Sequence, residues 1–493
     1  MSQQPLVTTA LGPVRGVWQD RSARFLGIPY AKAPVGDLRF AAPEVPESWT
    51  EPLAATSYGP TAQRRGFGEG PTIIPEPSIP GDDVLNLNVF TPDLTPDAAL
   101  PVLVWIHGGG FVAGSAASPW YDGGTFNRDG VVLVSLGYRL GIEGFLHLAD
   151  APDNRAVLDW IAALRWVRDN IAAFGGDPAK VTIAGQSAGG GAVQTLMATP
   201  SAHELFRAGI SVSGAVMDPQ SRADGLAVAA RFTARTGLPA TAAALRDLSH
   251  EELQRLQDLV TAPEDDGAPL PELLLAPFAD GELIPQDVHG AFRDGSASPA
   301  PLMLGATHHE FNFAAELGMA DAPIEAAVGV LGSIGLSPEG TSAYLALHEG
   351  ATPAGVIGQA ITDSLFRAAA SAIAEARAGQ DRPTWMYAFE WRSTAPMFGG
   401  QAFHCLDLPF AFDLLGAERA EDATGPDAPV ALARAMHGAW VSFIRDLDPG
   451  RSWPRYTRSG RETMVWDTTP YVTGDTLSAE REIWATRSVP TTT

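Results

Sequence analysis

Short apolar runs closed by glycine or proline alternate along this chain with longer stretches of helical periodicity. "LVTTALGPVRGVWQ" predicts a β-hairpin turning at Gly12-Pro13, and "RFLGIPYAKAP" a strand leading into a loop. "VLNLNVFTP" alternates with period two, as a strand does. "LPVLVWIHGGGFVAG" and "GVVLVSLGYRLG" are apolar without alternation, which suits central strands of a parallel or mixed sheet covered on both faces. In "DNRAVLDWIAALRWVRDNIAAFGGDP", Val157, Ile161, Leu164, Val167 and Ile171 recur at helical spacing. This predicts a strong helix with Asp153 or Asn154 as its cap and Gly175-Gly176 as its stop.

Val181 to Ala184 then read as a short buried strand, and Ala192 through Met197 as a helix. "FRAGISVSG", "PLMLGAT" and "TWMYAFEW" predict later strands, and "PVALARAMHGAWVSFIRDL" a late helix. Residues 59 to 81 are loop-like, with Pro60, Pro71, Pro75, Pro77 and Pro80. From about 219 to 290 the pattern is helical and acidic with breaks, which marks an insertion or cap. Strands alternating with helices in this order indicate an α/β fold. No linker, charge block or repeat divides the chain, so one large domain over residues 1–493 is expected.

Composition narrows the function. The chain is 45% hydrophobic and 18% charged, ordinary for a globular protein with a large core. Its net charge of −24 argues against nucleic acid and anionic membrane as partners, because both require basic patches. The only cysteine is Cys405, so no intrachain disulfide forms, in keeping with a reducing compartment. "MSQQPLVTTALGPVRG" has neither a basic nor an apolar signal region, and no apolar run approaches a membrane span of ~18 residues. The expected location is cytoplasmic.

Gly185-Gln186-Ser187-Ala188-Gly189 is G-x-S-x-G at the junction of the short strand and its helix. Small residues there let the backbone turn sharply and lift a serine oxygen above the sheet edge. A P-loop is disfavoured because no Lys-Ser or Lys-Thr pair follows the glycines. A nucleophilic serine needs backbone donors for the developing oxyanion, and "IHGGGF" supplies three glycines directly after a buried strand.

In this architecture the order is serine, acid, histidine. His107 and His147 precede Ser187, and His203 and His250 leave little room for an acid in between. His348 and His437 fall in helices, while His289, His308 and His309 come before or beside the best acid. His404, in a loop after Gly399-Gly400, remains as the base. Glu310 follows an apolar strand in "PLMLGATHHEFNFA" and is the favoured acid, with Asp280 and Glu282 as rivals. With no HExxH, CxxC or dinucleotide fingerprint, no metal or organic cofactor is expected.

The segments "FLGIPYAKAPVGDLRF", "DDVLNLNVF", "VWIHGGGFVAGS", "YRLGIEGFL", "ALRWVRDNIAAFGGDPAKVTIAGQSAGG", "LFRAGISVSG", "FHCLDLPFAF" and "WPRYT" run nearly end to end. Together they resemble the type-B carboxylesterases, a family that includes bacterial para-nitrobenzyl esterases, animal carboxylesterases and cholinesterases. The resemblance implies an α/β-hydrolase fold: a large, twisted, mostly parallel sheet flanked by helices, with helical insertions over a cleft. It puts the family's nucleophile on Ser187, its acid on Glu310 and its base on His404. Its oxyanion donors fall on the amides of Gly109, Gly110 and Ala188. The implied activity is hydrolysis of a small carboxylic ester through an acyl-enzyme, and the same machinery serves aryl carbamates or amides. Family members that act only as binding proteins lose the serine or its partners, which are all retained here.

The chain also departs from the family's pattern. The usual Glu-Asp-Cys-Leu reads Asp82-Asp83-Val84-Leu85, so the loop's disulfide is missing. The usual glutamate before the serine is Gln186, and the usual Asp-Glu-Gly around the acid is His309-Glu310-Phe311. Arg39 and Asp82 resemble a structural ion pair of the family. No tryptophan lies between Trp49 and Trp105, and the loop before Asp82, where cholinesterases hold a cation, has Tyr58 and Phe67 as its aromatics. Neutral alkyl or aryl esters are therefore the expected substrates.

Overall fold

The computed structural model describes residues 4–62, 73–214, 220–262 and 273–487; Phe67 and Pro71 lie outside them. Strands β1 (Leu6–Thr8) and β2 (Pro13–Arg15) form the expected N-terminal hairpin, although the turn closes between Thr9 and Gly12 and Pro13 already pairs in β2; β5 (Leu53–Ala54) joins β2 in a small sheet. The main sheet contains β3 (Val17–Gln19), β4 (Ser22–Pro29), β6 (Asn86–Thr91), β7 (Leu100–Ile106), β8 (Val132–Leu136) and β9 (Gly176–Gln186). It continues with β10 (Ala208–Val212), β11 (Leu302–Thr307), β12 (Thr384–Phe389), β13 (Glu462–Trp466) and β14 (Tyr471–Gly474).

The order across it is β14-β13-β12-β11-β10-β9-β7-β8-β6-β4-β3. From β8 through β7 and β9 to β13 all neighbours are parallel, and both edges are antiparallel. The apolar runs without alternation occupy this parallel centre, because both faces of each strand are covered. On β7, Val102, Val104 and Ile106 join one core layer with Val157, Trp160 and Leu164 of helix α1 (Arg155–Asn170). Leu103 and Trp105 face the opposite layer, with Trp440 and Phe443 of a late helix, Val430–Asp446. Each such side chain contributes roughly 1.5–3 kcal/mol on full burial.

Two buried asparagines take tertiary partners, and one of them overturns an expected helix cap. The period-two pattern of β6 does not mark a solvent face, since the whole strand is buried. Its polar residues are satisfied internally: Asn88 donates to Ser135 Oγ at 3.0 Å and accepts from Gly27 N at 2.9 Å. Asn154 stands at the N-cap of α1 with φ 51°, yet its side chain does not cap the helix. It donates instead to Phe278 O and Asp280 Oδ2, at 2.9 and 2.7 Å.

Helices fill the connections at the carboxyl end of the sheet. Ala188–Met197 is α2. Between β10 and β11 lie α3 (Arg222–Thr236) and α4 (His250–Thr261), each opened by a serine capping box; residues 219 and 263–272 of this expected insertion fall outside the described chain. Between β11 and β12 a second helical segment follows, not singled out from the sequence. It comprises α5 (Asn312–Gly318), α6 (Ile324–Ser333), α7 (Pro338–Leu347) and α8 (Pro353–Thr362), a π-helical turn at Asp363–Arg367, and α9 (Ala368–Ala378). Val330, Leu331, Tyr344 and Ile357 give it a core of its own, closed by Trp484. Among the described residues no helix is long and apolar enough to cross a membrane.

The Arg39–Asp82 ion pair does not form. Arg39 Nε meets Glu143 Oε1 at 2.7 Å and its guanidinium donates to the Leu248 and Arg246 carbonyls, while Asp82 is exposed. The neighbouring Arg139 carries the buried charge. Its Nε and Nη2 grip Asp159 at 2.9 and 2.7 Å, and Nη1 donates to Ala41 O at 2.7 Å. Both partners are at most 2% exposed, so removing one leaves an uncompensated charge inside the protein. Asp159→Ala is expected to cost about 3–5 kcal/mol in urea unfolding. Arg168→Ala, which breaks a half-exposed pair with Asp169, should cost less than about 1 kcal/mol.

Candidate active site

The site is built on the reversal between β9 and α2. Ser187 has φ 57° and ψ −123°, a region that non-glycine residues rarely occupy. The turn is held on both sides: Ser187 N donates to Val212 O at 2.9 Å, and Ser187 O accepts from Gly191 N at 2.9 Å. Gly185 and Gly189 make the close approach possible, since a Cβ on either would strike the Ile106 carbonyl of β7. Glycines 189 to 191 therefore belong to α2, which begins at Ala188, earlier than the sequence pattern suggested.

Beside this elbow, the loop after β7 turns through Gly109 (φ 105°) and Gly110 (φ 59°). Tyr138 Oη donates to the His107 carbonyl at 2.9 Å and stacks on its ring, while His107 Nδ1 lies 2.8 Å from Gly108 O. Burial holds His107 down to about 4, so it is neutral. Among the described residues, the amides of Gly109, Gly110 and Ala188 donate to no protein acceptor.

Glu310 and His404 come together although 94 residues separate them. Glu310 is fully buried in the turn after β11, with Oε1 accepting from Thr307 N at 2.7 Å. Its other oxygen pairs with His404 Nδ1. The backbones are joined as well, His404 N donating to Glu310 O at 2.9 Å. The neighbouring His309 clamps the same loops: its N donates to Ala402 O at 2.9 Å and its ring accepts from Ala402 N at 3.2 Å. Burial, aided by surrounding cations, lowers His309 to about 3, so it adds no charge.

The imidazole of His404 packs against the stacked rings of Phe311 and Phe366, at 4.8 and 5.2 Å. Phe366 sits in the π-helical turn, so the second helical segment forms one wall of the base's surroundings. Its Nε2 meets Gln186 Nε2 at 3.1 Å, and the Ser187 hydroxyl makes no hydrogen bond among the described residues. Base–nucleophile contacts are often long without substrate. The rival Asp280 accepts from Asn154, Glu282 N and Ile284 N as part of the scaffold. His437 likewise packs, bonded to Ala411 O and Asp129.

Two neighbours of the base, Phe366 and Asp407, escaped the sequence reading, and Gln186 was marked only as a departure beside the serine, without its contact to His404. Asp407 is fully buried, accepts from Tyr387 Oη at 3.0 Å, and is pushed up to about 7 by burial and then by the Glu310 charge. Its signal was a lone acid inside the apolar run "CLDLPFAF".

Burial opposes the His404 imidazolium, but the Glu310 carboxylate on Nδ1 raises the ring above the usual histidine value. Burial keeps Cys405 a thiol at neutral pH, so the Glu310 carboxylate supplies the charge. His404 should therefore titrate above about 6.5 in histidine-resolved NMR. Glu310→Gln removes the anion and should move the midpoint down.

The carboxylesterase family model matches residues 3–484. The para-nitrobenzyl esterase of Bacillus subtilis (strain 168) is 36% identical, over 97% of this chain and 98% of its own. The phenmedipham hydrolase of Pseudarthrobacter oxydans is 33% identical, over 94% and 95%. A solved para-nitrobenzyl esterase superposes with a TM-score of 0.83 at 35% identity, covering 98% of this chain and 100% of that one. A Geobacillus stearothermophilus carboxylesterase gives 0.84 at 33%, covering 97% and 99%. With a glycine-lined elbow on a mostly parallel sheet and likeness along nearly its full length, this chain belongs to the carboxylesterase family and has the α/β-hydrolase fold.

Proposed function

We propose that this protein is a serine esterase acting on neutral alkyl or aryl carboxylic esters, with Ser187 as nucleophile, His404 as base and Glu310 as acid. The observation that carries the reading is the buried carboxylate of Glu310 on His404 Nδ1, which fixes the tautomer and leaves Nε2 on the side of the elbow. His404 takes the Ser187 proton as the serine oxygen attacks the ester carbonyl. The amides of Gly109, Gly110 and Ala188 receive the oxyanion, and Glu310 stabilises the imidazolium. The imidazolium returns its proton to the departing alcohol, and water, activated by His404, then cleaves the acyl-enzyme. No step calls for a metal or organic cofactor. A cytoplasmic setting is supported by the single, buried cysteine.

Ser187→Ala should lower turnover of a chromogenic acetate by about 10⁴ to 10⁶ with the thermal midpoint unchanged. Residual activity within tenfold of wild type would place the nucleophile elsewhere. Glu310→Gln should be less damaging than Ser187→Ala and far more damaging than Asp280→Asn.

Two features beside the nucleophile oppose a cationic substrate. Gln186 puts an uncharged amide where a carboxylate would favour a cation, and the tryptophan that would face a quaternary ammonium is absent from the loop before Asp82. The lost cation–π attraction is worth roughly 0.5–2 kcal/mol. At moderate ionic strength kcat/KM for butyrylcholine should fall below that for its 3,3-dimethylbutyl analogue.

A further inference from the structure

The amide of Gln186 occupies the position at which the base must receive its proton. With Nδ1–H directed at Glu310, His404 Nε2 carries a lone pair, and the neighbour placed to donate to it is Gln186 Nε2 at 3.1 Å. Gln186 is 1% exposed and cannot exchange this bond freely for water. Its other end is confined as well: a Cβ on Gly108 would stand 3.0 Å from Gln186 Oε1 and 3.1 Å from Ser187 Cβ. The side chain is thus wedged between the Gly108–Gly110 turn and the imidazole, immediately before the nucleophile.

We propose that Gln186 is a positioning residue that donates to the His404 lone pair in the resting enzyme, holding the base neutral and lowering the pH at which it becomes competent. This rests on His404 being the base. A hydrogen bond to the neutral form disfavours protonation, whereas a carboxylate at the same place would favour the imidazolium. The amide therefore counteracts part of the upward pull of Glu310. When Ser187 transfers its proton, Nε2 becomes a donor, and the NH₂ of Gln186 must yield to the serine oxygen or present Oε1 instead.

The other groups around His404 are accounted for. Glu310 holds Nδ1, Cys405 is a buried thiol, and Asp407 lies behind them, bonded to Tyr387. His309 and His107 are neutral, Arg367 is engaged by Asp363 at 2.7 Å, and Phe311 and Phe366 carry no charge. All are common to wild type and variants, so differences between their pH profiles report Gln186.

The test is the pH dependence of kcat/KM for a neutral ester in wild type, Gln186→Met and Gln186→Glu, with the acylatable serine titrated by an organophosphonate. Methionine keeps the length and removes the donor. Its acid limb should move up by about half to one pH unit, the size of one neutral hydrogen bond. Glutamate should move it up by about one to three units. A methionine limb coincident with wild type, at full serine titre, overturns the proposal even if the glutamate limb moves. Absence of serine labelling in wild type instead refutes the esterase reading. Should the variants fail to fold, ¹⁵N-histidine spectra of the wild type decide. A non-protonated His404 Nε2 that accepts a hydrogen bond supports the proposal, and one that accepts none overturns it.

Discussion

The site depends on one backbone reversal. β9 must end and α2 begin within a single residue, and Ser187 absorbs the change at φ 57° and ψ −123°. Such a conformation costs on the order of 1–3 kcal/mol and persists only where the surroundings over-determine it. Here the Val212 carbonyl receives the Ser187 amide, and α2 abuts β7 because Gly185 and Gly189 have no side chains. The same proximity brings the start of α2 beside the Gly109-Gly110 turn. One strained residue thereby sets the serine oxygen, the Ala188 amide and the two glycine amides relative to one another.

Around that reversal the protein removes water from charges and then satisfies them individually. Glu310 has no exposure, yet it accepts from a backbone amide and from an imidazole. Asp407 lies behind it, and burial, followed by the Glu310 charge, pushes its carboxyl up to about 7. The second helical segment contributes by burial: Phe366 in its π-helical turn covers one side of His404. π-helical turns recur at functional sites because they re-aim side chains without ending a helix. Farther out, Arg139 and Asp159 tie the end of β8 to α1 and to the chain at Ala41.

Much of this was legible because it is local. The apolar runs at 100–106 and 132–136 required strands covered on two faces, and glycines at a strand end required a sharp turn. The five apolar positions read as one helical face all fell into the core. Where the reading failed, a tertiary partner had overruled a local preference. Asn154 has the chemistry of a helix cap, but Phe278 and Asp280 claim its side chain. Arg39 has Glu143 and two carbonyls nearer than Asp82.

The sequence by itself determined the central strands, α1 and the elbow, because backbone sterics, periodicity and residue type act over a few positions, and chain order offered Glu310 and His404 as candidates. Only the tertiary structure decided that Glu310 meets Nδ1 of His404 and that Nε2 meets Gln186. Those contacts bridge 94 and 218 residues, and they exist because parallel strands deliver their following loops to the same end of the sheet. Tertiary structure also set the charges, since the neutrality of His107 and His309 and the raised carboxyl of Asp407 follow from burial. A residue's solvent exposure is a property of the whole fold, and no short stretch of sequence contains it.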